Sequence, residues 1–190
     1  ELEYTNEPYA IAKIAGIKMC ENYFKQYSSN FYSVMPTNLY GENDNFNLNT
    51  SHVIPALINK VHCAKIEEKQ EVEVWGTGKP LREFMHVNDL ADACIFLMEY
   101  IDANQIYGNG ISHLNVGTGK EISIEDLVKL LSNIIDYKFE IKFNTKMPDG
   151  TPRKLLDSSL INSLGWIHKI DLVSGLSMVY DFFKKNYLKN

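Results

Sequence analysis

Short strand-like runs alternate with helix-period segments along the whole of this chain, and that alternation confines it to the α/β class. Between Thr5 and about Tyr27 the residues Ala12, Ala15, Gly16, Met19 and Tyr23 recur at helical spacing, with Asn6, Glu7 and Pro8 as first-turn residues. Phe31 to Met35 ("FYSVM") reads as a strand ended by Pro36, and "NLYGENDNFNLNTS" after it as an Asn- and Gly-rich loop. A second helix spans His52 to about Ile66, with Pro55 in its first turn. "EVEVW" (Glu71 to Trp75) alternates as a strand before the turn "GTGKP", and "REFMHV" returns as another. Asn88 or Asp89 caps a helix through Tyr100, "SHLNVG" is a strand, and Ser123 to Asp126 resembles a capping box opening a helix to Ile135. "FEIKF" adds a strand and "NTKMPDGTPRK" a loop punctuated by Pro and Gly. Two helices close the chain, the last capped by Asp171 and amphipathic through Phe183. This order implies a sheet covered on both faces.

Composition removes several classes of function. A net charge of -5 over 190 residues, with no long block of one sign, leaves no basic footprint for a phosphate backbone, so no nucleic-acid partner is expected. The longest apolar stretches, such as "CIFLMEYI" from Cys94, fall short of the roughly 20 residues that a membrane span needs, so no membrane partner is expected. Cys20, Cys63 and Cys94 are widely spaced in helix-like patterns, which suggests neither a disulfide framework nor a metal site. They read as small buried hydrophobes in a reducing, cytoplasmic compartment.

Four groups of residues could carry chemistry. Tyr9 and Lys13 stand at i and i+4, roughly 5 to 6 Å apart at Cβ on one helix face. An ammonium there stabilises phenolate and brings a phenol, with a pKa near about 10, toward proton transfer at neutral pH. The same spacing also occurs on helices that do no chemistry. His52 lies at a loop-to-helix junction, where an imidazole can take and return protons α to a ketone, although the pattern alone favours a capping or solvated histidine. Asn38, in "PTNLY", is either a polar ligand contact or a turn former. Trp75 can stack on a base or sugar, and Arg82 and Lys154 can neutralise a pyrophosphate. The bland readings put Trp75 in the core, pair Arg82 with Glu83 or Asp89, and leave Lys154 in solvent. "GTGK", at Gly76 and again at Gly117, lacks the spacing of a dinucleotide-binding turn, and both copies read as plain turns.

The order of "YAIAKIAGIKMCENY", "SVMPTNLYGENDNF", "SHVIPAL", "VWGTGKPLREFMHVNDLA", "LNVGTG" and "PDGTPRKLLD" resembles the extended short-chain dehydrogenase/reductase family, in particular its GDP-sugar 3,5-epimerase/4-reductases. The resemblance runs from Asn6 to the C-terminus. It implies the late part of a Rossmann-type doubly wound sheet (1–48) plus a smaller α/β substrate-binding lobe (49–190), with about 82–119 crossing back. It implies NADP(H) as cofactor and a GDP-linked 4-keto-6-deoxy-sugar as substrate, converted to GDP-L-fucose. Related chemistries are a GDP-heptose C4-reductase, a nucleotide-sugar 4-epimerase or, in another class, a non-catalytic nucleotide-sugar-binding fragment.

By the same resemblance Tyr9 protonates the C4 carbonyl, Lys13 anchors the nicotinamide ribose, and His52 serves epimerisation. Pro36, Asn38 and Leu39 approach the nicotinamide end, as do Tyr9, Lys13 and His52. Val53, Leu57, Lys60, Trp75, Arg82 and Lys154 line the GDP-sugar pocket, Lys60 standing where the family usually has arginine. The dinucleotide-binding half, with a serine and a second acid/base cysteine, is expected before Glu1, and the chain alone is expected to be inactive. A homodimer through the Tyr9 helix is also implied, with Ile11, Ala15, Lys18 and Asn22 on a face away from Met19 and Tyr23.

Overall fold

The computed structural model describes residue 4 and residues 7–48 and 50–187. Thr5 and Asn6, read as the start of the first helix, lie outside the described residues. Helix α1 runs Glu7–Tyr27 and keeps Pro8 in its first turn, where the missing N–H has no intrahelical partner to lose. Then come β1 (Val34–Pro36), β2 (Asn38–Tyr40), α2 (Val53–Ile66), β3 (Glu71–Trp75), β4 (Leu81–His86) and α3 (Val87–Tyr100). The second half adds α4 (Ala103–Tyr107), β5 (Leu114–Val116), β6 (Glu121–Ser123), α5 (Ile124–Ile135), β7 (Glu140–Asn144), β8 (Arg153–Lys154), α6 (Ser159–Ser163) and α7 (Leu172–Tyr187).

The class is α/β, but the single covered sheet is divided among the described residues into three small ones. β1 runs parallel to β5, β3 runs parallel to β7, and β4 gathers β2 and β8 in parallel and β6 antiparallel. The change of partner falls just after Pro36, which has no N–H for a ladder. Thr37 makes the crossing: its N–H bonds Val116 O at 3.0 Å and its Oγ1 bonds the Glu83 carbonyl at 3.2 Å. The segment from Asn38, expected to be loop throughout, therefore begins as a strand, because the edge of β4 outweighs the local turn preference of Asn and Gly.

Two separate cores hold these sheets. In β3, Val72 and Val74 point inward and Glu71, Glu73 and Trp75 outward, and the inner face meets α2, α5 and α7 through Ile58, Val61, Leu127, Leu131 and Leu176. The second core is built from Met85, Leu97, Ile106, Leu114 and Val116, and is closed by Ile161 and Trp166 from the C-terminal part. No side chain of α1 is buried; Phe24 packs against Tyr107 with the rings tilted and their centroids 5.0 Å apart.

Several local expectations change. His86, not Asn88 or Asp89, caps α3, its Nδ1 accepting the Asn88 N–H at 3.3 Å. The Asp89 carboxylate is buried and committed elsewhere, accepting the N–H groups of Lys169 and Ile170 at 3.0 Å each. A buried carboxylate needs such donors, and that need outweighs the local cap. The three cysteines are free but only half-buried, not core residues; Cys63 donates to Asn59 Oδ1 at 3.1 Å, and burial pushes its thiol pKa up. Among the described residues no helix is long and apolar enough to cross a membrane.

Candidate active site

The crossing at Thr37 opens a cleft of about 1370 Å³ between α1, the β1–β2 junction, the start of α2 and Lys154. Eight of the residues singled out from the sequence line it: Tyr9, Lys13, Pro36, Asn38, Leu39, His52, Val53 and Lys154. Lys13 Nζ stands 5.3 Å from the Tyr9 ring centroid, within reach of a cation–π contact, and Tyr9 is 61% exposed. His52 occupies the N-cap position of α2 by its backbone, with φ -71° and ψ 172°, and its side chain makes no cap hydrogen bond. The helix therefore does not use the imidazole. Asn38 is a strand residue and not a turn former: its Nδ2 donates to the Glu83 carbonyl at 2.7 Å, which fixes the amide. Cys20 also lines the cleft.

The loop that leads from β2 to His52 is pinned from below. Phe46, the lone aromatic in "ENDNFNLNTS", is 2% exposed and sits 4.9 Å from the ring centroids of both Phe183 and Tyr187. Asn59 Nδ2 donates to its carbonyl at 2.7 Å, and Asn45 Nδ2 to Thr50 Oγ1 at 2.8 Å. Gly41, Glu42, Asn43 and Asp44, from the first part of this loop, line the cleft. Phe46 is passed over in the sequence reading; the signal was a single aromatic side chain in a polar run of that length.

The remaining substrate residues lie outside the cleft lining. Trp75 is a surface indole at 53% exposure, not a core residue, and Lys60 Nζ stands 5.1 Å from its ring centroid while donating to the Glu73 carbonyl at 3.2 Å. Burial pushes the Lys60 pKa down, with Glu73 opposing. Arg82 pairs with neither Glu83 nor Asp89. It donates to the carbonyls of Leu81 at 2.8 Å and Asp149 at 3.4 Å, and burial lowers its pKa, with Asp149 opposing. In the β4–β8 ladder Arg82 is the register partner of Lys154, which joins this outer group to the cleft. Leu57 differs from the rest: it is 4% exposed and packs in the first core, with almost no surface for a ligand.

Tyr9 and Lys13 on one helix face thus line the same cleft as His52, whose imidazole its helix leaves unused. The model of the NAD dependent epimerase/dehydratase family matches residues 1–117, and the chain belongs to that family. It is 51% identical over 185 residues to GDP-L-fucose synthase 1 of Arabidopsis thaliana, covering 97% of this chain and 55% of that protein. It is 49% identical over 189 residues to the GDP-L-fucose synthase of Escherichia coli, covering 97% and 58% respectively. Among solved structures it is similar to a GDP-mannoheptose C4 reductase from Campylobacter jejuni with NADP bound. That match has a TM-score of 0.86 and 39% identity, over 97% of this chain and 62% of that one. The chain thus spans a little over half the length of the relatives it matches.

Proposed function

We propose that this chain carries the proton-transfer residues and the nucleotide-sugar site of an NADPH-dependent GDP-sugar 3,5-epimerase/4-reductase of the GDP-L-fucose synthase type. The observation that carries it is the joining of Tyr9, Lys13, His52 and Lys154 in one cleft. Its substrate is a GDP-linked 4-keto-6-deoxy-sugar. Tyr9 gives its phenolic proton to the C4 oxygen; Lys13, beside the ring, supplies the positive charge that steadies the phenolate left behind. His52, released from helix capping, moves protons at the carbons flanking the ketone. Trp75 with Lys60 gives a flat cationic shelf for the nucleotide, and Arg82 and Lys154 neutralise its pyrophosphate.

The described residues fit the nicotinamide end of NADP(H): a phenol, an ammonium and the Pro36–Leu39 wall share one open cleft. When bound, the cofactor supplies hydride to C4. The two glycine turns that could mimic a phosphate cradle give their N–H groups to the chain's own carboxylates, Thr77 to Asp149 and Thr118 with Gly119 to Glu83. The core around Met85, Leu114 and Ile161 belongs in this reading to the cofactor lobe, and the α2–α5–α7 core to the substrate lobe. A homodimer through α1 suits the apolar side chains of Ile11, Ile14 and Met19, which that helix leaves exposed.

Turnover tests the reading in a protein completed to the length of its relatives. GDP-4-keto-6-deoxy-D-mannose should consume NADPH stoichiometrically. His52→Gln should slow that reaction by about 10²-fold or more while a ketone already epimerised is still reduced; equal losses with both substrates would remove His52 from epimerisation. A second reading, a GDP-heptose C4-reductase, is favoured by the similarity to the Campylobacter jejuni enzyme. Preference for a GDP-keto-heptose would select it. NAD retained through the cycle would indicate a 4-epimerase instead.

A further inference from the structure

The tetrapeptide "GTGK" occurs twice, at Gly76–Lys79 and Gly117–Lys120, and each copy folds around a carboxylate from elsewhere in the chain. In the first, Thr77 donates its N–H to Asp149 Oδ1 at 2.6 Å and its hydroxyl to Oδ2 at 2.8 Å, while Thr77 Oγ1 accepts the Lys79 N–H at 3.3 Å. In the second, Thr118 gives its N–H to Glu83 Oε1 at 2.5 Å and its hydroxyl at 3.3 Å, and Thr118 Oγ1 accepts the Lys120 N–H at 3.2 Å. Gly119, at φ 69°, adds its N–H to Glu83 Oε1 at 2.7 Å. A Cβ on Gly76 would overlap Asp149 Oδ1 and a Cβ on Gly117 would overlap Glu83 Oε1, and Gly76 also holds φ 79°. Successive N–H groups in such turns form anion-binding concavities, and here the anion is internal.

Both carboxylates act on one segment. Asp149 begins it, and Glu83 Oε2 accepts the Leu156 N–H at 3.0 Å near its end. Between them lies β8, a strand of two residues, which pairs Arg153 with Leu81 and Lys154 with Arg82. So short a strand has too little ladder to hold its own place. The exposed Arg153–Glu121 ion pair at 2.8 Å adds little. Asp149 does more, since its carbonyl also receives Arg82 Nη2 at 3.4 Å.

We infer that Asp149 is a positioning residue for the nucleotide-sugar site: clasped in the first GTGK turn, with Glu83 clasped in the second, it holds residues 149–156 so that Lys154 lies beside Arg82. This rests on Arg82 and Lys154 as pyrophosphate ligands. Asp149 lies on the surface, so its variants test the clasp without emptying the core.

The experiment pairs titration of the 190-residue chain with GDP and hydrogen–deuterium exchange, using wild type, Asp149→Ala and Asp149→Asn. Asp149→Ala should weaken GDP binding about tenfold, equivalent to ~1.4 kcal/mol. It should also speed exchange across residues 146–156, while amides of α2 and α5 keep wild-type protection. Asparagine keeps an acceptor for the Thr77 N–H and a donor for its hydroxyl, so Asp149→Asn should restore both readouts to within about threefold of wild type. Unchanged exchange in Asp149→Ala would overturn the clasp, whether or not affinity fell. Asp149→Asn as damaging as alanine in both readouts would also overturn it. If the wild-type chain fails to bind GDP, the functional reading falls, and the exchange comparison still decides the clasp.

Discussion

Replacing Tyr9 by phenylalanine should lower C4 reduction by about 10²–10⁴-fold, the usual contribution of a positioned general acid, in a protein completed to the length of its relatives. The ring stays, so its contact with Lys13 Nζ stays; only the transferable proton is lost. Because the side chain is largely exposed and lies on a helix with no buried residue, the change should leave thermal stability and cofactor affinity near wild type. Single-turnover NADPH oxidation together with a cofactor titration separates these effects. A normal rate would take the acid role from Tyr9, and a lost rate accompanied by lost cofactor binding would make it a ligand contact.

Phe46→Ala is the second large effect, and it acts through packing. The ring is almost fully buried against Phe183 and Tyr187, so its removal leaves a cavity that the end of α7 cannot readily fill. A loss of about 3–5 kcal/mol is expected from large-to-small changes of this kind, read as a lower urea midpoint with an unchanged slope. The loop from Gly41 to Ser51 should lose exchange protection further than α5 does, because Phe46 is its one aromatic anchor into the core. Phe46→Leu, which keeps much of the volume, should recover most of the loss. A stability change below about 1 kcal/mol for the alanine variant would show that the loop is held by its hydrogen bonds.

What could be read in the sequence follows from the range of the forces involved. Helices α1, α2, α5 and α7 declare themselves because periodicity sums over many residues, and β3 because alternation in "EVEVW" marks its inner face. Strands β2, β6 and β8 and helix α4 are too short to show a period, and they exist because a neighbouring edge or core accepts them. The cap of α3 shows the same division. Asn and Asp are the favoured caps, yet Asp89 is drawn to N–H groups of Lys169 and Ile170, far along the chain.

The candidate site divides in a similar way. Neither the Tyr9–Lys13 spacing nor the junction at His52 decides by itself between a site and a plain helix; the resemblance singles the three out, and all three line one cleft. Leu57 lies on the right helix but on its buried face, which identity alone does not reveal. That Glu83 and Asp149 fill the two turns escaped notice because each carboxylate meets its turn across a long sequence separation. The repeated "GTGK" was the visible half of that arrangement, and its meaning depended on what filled it.

Calorimetric titration of this chain with GDP, in wild type and in Arg82→Ala, tests most directly whether it carries a nucleotide-sugar site. The predicted result is saturable binding at one site per chain, weakened about tenfold or more by loss of the guanidinium, in line with ~1.5–3 kcal/mol for a charged hydrogen bond. No GDP binding by the wild-type chain, or equal affinity in Arg82→Ala, would contradict it.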